Sequence, residues 1–302
     1  MITESLPVVT QKRPLLAWLL LCTMALVWGS SFILIKRSLE AFSPEQVAAG
    51  RIFLAFLFFV PFQAFQIQQP DNRRELRLKW PYLIAVGLTG YLIPAYLFSV
   101  AGAHLNSSLA GALNSLSPLF TLFIGAIFFG NQVKSRQTLG ILLGLVGSIL
   151  LVFFSATGEF SVNAYALLIV LATICYGTNT NLIGRHLSHL PALVSTAWTF
   201  FGIGLVAFAL LLPTDFWSRA MNPQNSWSLG TLAMLGILAS GVMSVLFNRV
   251  IQLTSPLFGA SVTYLIPVVA LLWGLLDGET IYAAQYLGMA VCLLGIYLTN
   301  KS

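Results

Sequence analysis

Two short polar stretches interrupt otherwise apolar sequence: Trp28-Gly29-Ser30-Ser31 and, 148 residues later, Tyr176-Gly177-Thr178-Asn179, followed by Thr180 and Asn181. An indole or phenol beside hydroxyls and amides can hold a small solute with a flat apolar wall and a few hydrogen bonds. Asn114, Ser115 and Ser117 precede Pro118, and Thr263 and Tyr264 precede Pro267. Proline lacks a backbone N–H and frees a carbonyl, which a ligand, a water or a neighbouring hydroxyl can use. Both prolines are therefore read as kinks that serve a gate or a cavity. Arg51 near the outer end of its span either lets its long stem snorkel to the interface, attracts a solute carboxylate, or pairs with Glu279, which is expected on the same outer side. The sequence offers no convergent nucleophile, base or metal constellation, so the chemistry expected is binding and passage, not catalysis.

These residues must be positioned by membrane spans. The chain of 302 residues is 58% hydrophobic and 8% charged, with a mean hydropathy of +0.87, far outside the range of soluble domains. Residues 80–133 contain no Asp, Glu, Lys or Arg, a helical length rather than the roughly ten-residue strands of an outer-membrane barrel. With about 20 apolar residues per crossing, the chain divides into ten helices: 15–37, 45–66, 80–102, 107–129, 137–155, 162–184, 191–213, 228–250, 256–276 and 282–299. The fold class expected is an all-α, polytopic membrane protein. The apolar run at the start continues past the usual length of a signal peptide, and Trp28 spoils a small-residue cleavage pattern, so a retained first span is expected. At mid-bilayer depth, Trp28, Ser31, Asn114, Ser117, Tyr176, Asn179, Asn181 and Tyr264 must face protein or water. They are the expected cavity residues.

The net charge of +6 reports topology. With the N-terminus inside, Lys12, Arg13, Arg73, Arg74, Arg77, Lys79, Lys134, Arg136, Arg185, Arg249 and Lys301 are cytoplasmic, while Lys36, Arg37 and Arg219 are outside. That asymmetry places both termini in the cytoplasm and removes the case for a nucleic-acid partner. Cys22, Cys175 and Cys292 lie inside spans without paired spacing, so no disulfide framework, metal or cofactor is expected. His186 and His189 sit in an inner loop with no carboxylate expected beside them.

The two halves echo each other. Pro44 and Pro191 open the second and seventh spans, Pro118 parallels Pro267, and Gly130, Gln137, Gly140 and Gly147 parallel Gly278, Gln285, Gly288 and Gly295. Gly140-x-x-x-Gly144, and Gly288 with Gly295, are stripes for close helix contact. Each half holds five spans, and an odd number inverts the second half relative to the first. Inverted repeats recur in secondary transporters, with the solute site near the midplane between the halves. The domains expected are a cytoplasmic tail over 1–14, a first repeat over 15–155 and a second over 162–299.

The Trp-Gly-Ser-Ser-Phe signature at Trp28, the segment from Pro44 to Arg51, the mid-helix Pro118 and Pro267, and Gly278-Glu279 followed by Gln285 and Gly288 resemble the EamA-like family of the drug/metabolite transporter superfamily. The resemblance runs over residues 15–300. It implies a ten-helix transporter of the bacterial inner membrane, an exporter of amino acids or other small metabolites, with a central cavity. The chain departs from symmetry where Asn131 stands opposite Glu279, and where Arg51 stands opposite the neighbourhood of Trp198. No expected span carries an interior Asp or Glu, so facilitated export is as well supported as proton antiport. The aromatic cavity suits neutral or zwitterionic solutes. The rival readings are an importer of nucleotide-type or cofactor-type solutes, which calls for more basic cavity residues, and a membrane-embedded enzyme. The expected partners are a small-molecule metabolite and the lipid bilayer, with a homodimer as one open assembly.

Overall fold

The computed structural model describes residues 15–66, 70–131, 164–279 and 283–300, with short pieces between 135 and 147. Among these residues the regular structure is entirely helical, as a chain in hydrocarbon requires, because a helix satisfies its own N–H and C=O groups. The first half holds α1 (Leu15–Ser38), α2 (Pro44–Gln66), α3 (Pro70–Gly87), α4 (Ile93–Gly102), α5 (Ser107–Asn114) and α6 (Ser117–Phe129). The second holds α7 (Ala164–Leu182), α8 (Ala192–Leu211), α9 (Phe216–Met221), α10 (Ser226–Ala233), α11 (Met243–Leu253), α12 (Pro256–Ala260), α13 (Ile266–Leu276) and α14 (Ala283–Asn300).

Helix starts follow local chemistry. At α2, the Gln46 N–H donates to Ser43 Oγ at 3.3 Å while Gln46 Oε1 accepts from the Ser43 N–H at 3.0 Å, a reciprocal capping box that satisfies two orphan donors. Ser255 caps α12 by accepting from the Phe258 N–H, and Pro256 follows where its missing N–H costs nothing.

Eight stretches are long and apolar enough to cross a membrane, among them Glu75–Gly102 and Pro223–Leu253. Both begin five residues before the expected 80–102 and 228–250, and both run unbroken through π-helical turns that join α3 to α4 (Leu88–Leu92) and α10 to α11 (Met234–Val242). Adding 149 to 88–92 gives 237–241, inside the second π segment, so both halves widen the same helix at the same place. The tail 1–14 and most of the expected fifth span, 137–155, lie outside the described residues. α14 carries a shorter apolar stretch, Tyr286–Gly295, so the expected count of ten full spans is not reached among the described residues.

Lipid provides no hydrophobic drive between helices, so close packing and interhelical hydrogen bonds must hold the bundle. The halves interlock. α1 packs on α13 and α7 on α6, and the glycines of the two polar stretches make both contacts possible. A Cβ at Gly29 would stand 2.5 Å from Val269 Cβ, and one at Gly177 would stand 2.7 Å from the Phe120 carbonyl carbon. Val269 and Phe120 are themselves 149 residues apart. α2 packs on α8, where Phe59 stacks on Phe200 at 5.6 Å. Gly295 of α14 lies against the backbone of Gly140 and Gly144. Apolar side chains such as Phe128 and Leu276 remain exposed on the outside of the bundle, the surface that lipid covers.

Candidate functional site

The proline sites show how α6 and α13 present polar groups. Neither proline kinks a continuous helix, because each sits in the first turn of a restarted one, after a turn at Ser115 and Leu116 or after the 3-10 segment Ser261–Tyr264. The carbonyl that Pro118 frees, that of Asn114, accepts from Ser117 Oγ at 2.8 Å. Asn114, Ser117 and Thr263 are thereby held at helix breaks, buried among neighbouring helices.

These residues line a cavity of about 110 Å³ between the halves. Trp28, Ser31, Arg51 and Tyr176 line it as well. Its aromatic walls are built in pairs across the halves. Trp28 meets Phe247 edge-on at 5.4 Å, and Tyr176 stacks on Phe98 at 5.9 Å. Phe98 and Phe247 are 149 residues apart, so the first span of each half sets its aromatic residue against the other half. Trp28 is also fixed by its indole N–H, which donates to the Ala239 carbonyl at 2.8 Å. Ala239 lies in the π segment Met234–Val242, and Gly90 and Tyr91 from the π segment Leu88–Leu92 line the cavity opposite. Such turns re-aim side chains and carbonyls, and here both border the cavity.

Arg51 lies two turns into α2, roughly 10 Å from its start at 1.5 Å per residue, and its side chain lines the cavity. Its Nε donates to Ser240 Oγ at 3.0 Å. The pairing of Arg51 with Glu279 is not formed. Glu279 stands at the end of the bundle where α1 stops, and its carboxylate accepts from the Ser107 N–H (2.9 Å), the Ser108 N–H (3.2 Å) and Ser108 Oγ (2.9 Å). Lys36 Nζ approaches it at 3.4 Å. A carboxylate at the N-terminus of α5 satisfies orphan N–H groups and complements the helix dipole, which outweighs a distant guanidinium.

Asn179 and Asn181 do not line the cavity. Asn179 Nδ2 donates to the Val86 carbonyl at 3.0 Å, and Asn181 Nδ2 to those of Thr121 (2.8 Å) and Gly177 (2.9 Å). Both amides fasten α7 to neighbouring helices of the other half, an alternative way to satisfy a buried amide. The Tyr264 side chain lies outside the described residues. The absence of a carboxylate beside His189 is also corrected: its Nε2 lies 3.0 Å from Glu75 Oε1, and His186 stacks on Tyr82. Tyr91, Phe98, Ser240, Ser244 and Phe247 are lining residues that single-residue inspection of the sequence misses. Extending the 149-residue offset to the third and eighth spans pairs Tyr91 with Ser240 and Phe98 with Phe247, and was the available signal.

Asp277 closes the same end of the bundle, pairing with Lys36 and Arg37 at the end of α1. The hydrogen bond from Lys36, helped by the charges of Lys36 and Arg37, holds the Asp277 carboxyl below its ordinary 3.8. A depressed carboxyl stabilises the fold above its ordinary pKa, and that contribution is lost as pH falls through the lower folded value. Wild-type protein in detergent is therefore expected to lose more thermal stability than Asp277→Asn between about pH 5 and about pH 2.5. Parallel unfolding curves for the two proteins would refute this.

Comparison with known proteins agrees with this architecture. The sequence model of the EamA-like transporter family matches residues 15–153 and again 163–301. An "Uncharacterized inner membrane transporter YedA" of Escherichia coli K12 is 26% identical over 93% of this chain and 89% of its own. A "Probable amino-acid metabolite efflux pump" of the same strain is 26% identical over 91% of each chain. An "Uncharacterized transporter" of Archaeoglobus fulgidus is 24% identical over 94% of this chain and 98% of its own. One crystal structure shares the fold with a TM-score of 0.61 at 18% identity, covering 94% of this chain and 96% of that one. Since the two family matches together take in nearly the whole sequence, the chain belongs to the EamA-like transporter family, and its helical bundle is that of a multi-pass membrane transporter.

Proposed function

We propose that this transporter exports amino acids or similar small metabolites across the bacterial inner membrane by alternating access, with both termini in the cytoplasm. In this reading two inverted five-helix repeats, 15–155 and 162–299, rock about the cavity. The observation that carries it is the matched wall, Trp28 on Phe247 and Tyr176 on Phe98, which gives each half an equivalent grip on one solute. Two equivalent grips make outward-open and inward-open states of similar energy, as alternating access requires. The cavity volume also supports a small metabolite. About 110 Å³ is near the ~150 Å³ that holds benzene and well below the ~300–1,000 Å³ of pockets for drug-sized ligands, which disfavours a nucleotide-type solute. The name of the Escherichia coli efflux pump and the excess of basic residues on one side of the expected topology agree with the direction and orientation proposed.

The test is solute exchange by purified protein in proteoliposomes, over a panel of amino acids and related metabolites, with and without an imposed pH gradient. At least one compound is expected to exchange saturably, and Trp28→Ala is expected to slow it about tenfold, the equivalent of one lost aromatic contact. No compound exchanging faster than in Trp28→Ala would end the proposal. Accumulation driven by the pH gradient would replace facilitated export by proton coupling.

A further inference from the structure

Among the described residues that line the cavity, Arg51 is the single charged side chain, and none is Asp or Glu. Ser240 holds the guanidinium at Nε, and among the described residues no acceptor engages its two terminal nitrogens. The carboxylates with the best claim to neutralise it are committed elsewhere: Asp277 to Lys36 and Arg37, and Glu279 to Lys36 and the start of α5. A guanidinium withdrawn from bulk water without a counter-ion is costly, and a solute carboxylate can supply that counter-ion in a two-pronged pair. A zwitterion brings its ammonium into the same space. There the lining offers hydroxyls such as those of Ser31, Ser117 and Ser244 and aromatic faces, none of which compensates an ammonium as a carboxylate does.

Granting the exporter reading above, we infer that among amino acids and similar small metabolites the cavity favours monoanions over zwitterions: metabolites with one carboxylate for Arg51, an apolar body for the aromatic walls, and no ammonium group. For a given carbon skeleton, the 2-oxo acid is preferred to the amino acid. Arg51 is the residue that sets this preference, and Ser240 positions it.

Three probes with one skeleton separate the charge states: 4-methyl-2-oxopentanoate (anion), leucine (zwitterion) and 4-methylpentanamide (neutral). Exchange of radiolabelled 4-methyl-2-oxopentanoate in proteoliposomes is measured in competition with the other two, and ligand-induced thermal stabilisation of the purified protein reports binding directly. The oxo acid is expected to bind at least tenfold more tightly than leucine, with no competition from the amide. Arg51→Gln is expected to abolish the discrimination, and Arg51→Lys to retain part of it. Ser240→Ala keeps the charge, and is expected to weaken oxo-acid binding several-fold while preserving the preference. Leucine binding as well as the oxo acid in wild-type protein overturns the inference whether or not any variant folds. Survival of the preference in folded Arg51→Gln overturns it as well. If these probes fail while other compounds of the wider panel exchange, the selectivity falls and the exporter reading stands. If nothing exchanges, both fall.

Discussion

Glu279→Ala is expected to destabilise the protein by about 3 kcal/mol, the cost of leaving buried hydrogen-bond donors without their acceptor, or roughly 5 °C in unfolding temperature for a chain of this length. The Glu279 side chain is only 4% exposed. Its loss strands the Ser107 and Ser108 N–H groups at the start of α5 together with Ser108 Oγ. A water entering the vacated space would return only part of this. Lys36 contributes less, because it is 40% exposed and stands 3.4 Å from Glu279, where an ion pair is worth about 0–1 kcal/mol. Lys36→Met should therefore cost far less than Glu279→Ala, and Glu279→Gln should fall between them, since an amide oxygen still accepts from one N–H. Thermal unfolding of the three variants in one detergent measures this order. Lys36→Met also removes the pair with Asp277, which Arg37 still holds, so a Lys36→Met loss equal to that of Glu279→Ala would show that the two Lys36 ion pairs, not the helix terminus, hold this end of the bundle. Because Glu279 follows α13 and Ser107 begins α5, the bond ties the two halves together, and its loss should also alter the exchange rate.

The sequence made the spans and the offset of 148 to 149 residues legible because both rest on strong constraints. Hydrocarbon excludes charge, and few residue types tolerate its middle. That logic placed Trp28, Tyr176, Asn114 and Ser117, and the structure sets all four around one cavity. It misdirected at Asn179 and Asn181, because a mid-membrane amide has two ways to be satisfied, a cavity or a carbonyl of the next helix. Only the packing decides between them, here in favour of Val86 and Thr121. The partner of Glu279 was hidden for a related reason: the capped helix lies 172 residues away. Glu75 was hidden from His189 in the same way. The π segments had no sequence signature of their own, since an extra residue in a turn reflects contacts from other helices, such as the indole of Trp28 on Ala239.

Gly177→Ala and Gly29→Ala are both expected to destabilise, yet only one of them should be rescuable. In a plain helix, glycine to alanine stabilises by about 1 kcal/mol. Here the new Cβ meets atoms at distances that real contacts do not show. At Gly177 those atoms are backbone: the Phe120 carbonyl carbon at 2.7 Å, the Thr121 nitrogen at 2.8 Å and the Phe120 oxygen at 2.9 Å. α6 must then move as a body, straining the bond from Asn181 to the Thr121 carbonyl and shifting Ser117 at the cavity. Forced overpacking of this kind costs about 1–3 kcal/mol, and the upper end applies where no side chain can yield. At Gly29 the obstruction is the Val269 side chain, Cβ at 2.5 Å and Cγ1 at 2.8 Å, with the Ile266 oxygen at a milder 3.2 Å. Val269→Gly deletes the first two contacts, so the double variant Gly29→Ala/Val269→Gly should regain most of the lost stability, less about 1 kcal/mol for glycine in a helix. No substitution at Phe120 removes its carbonyl, so Gly177→Ala/Phe120→Gly should remain as unstable as Gly177→Ala or more so. Unfolding temperatures of the four variants decide the matter. Rescue at both sites, or at neither, would mean that the two glycines do not seat the first span of each half against the broken helix of the other in the way these distances require.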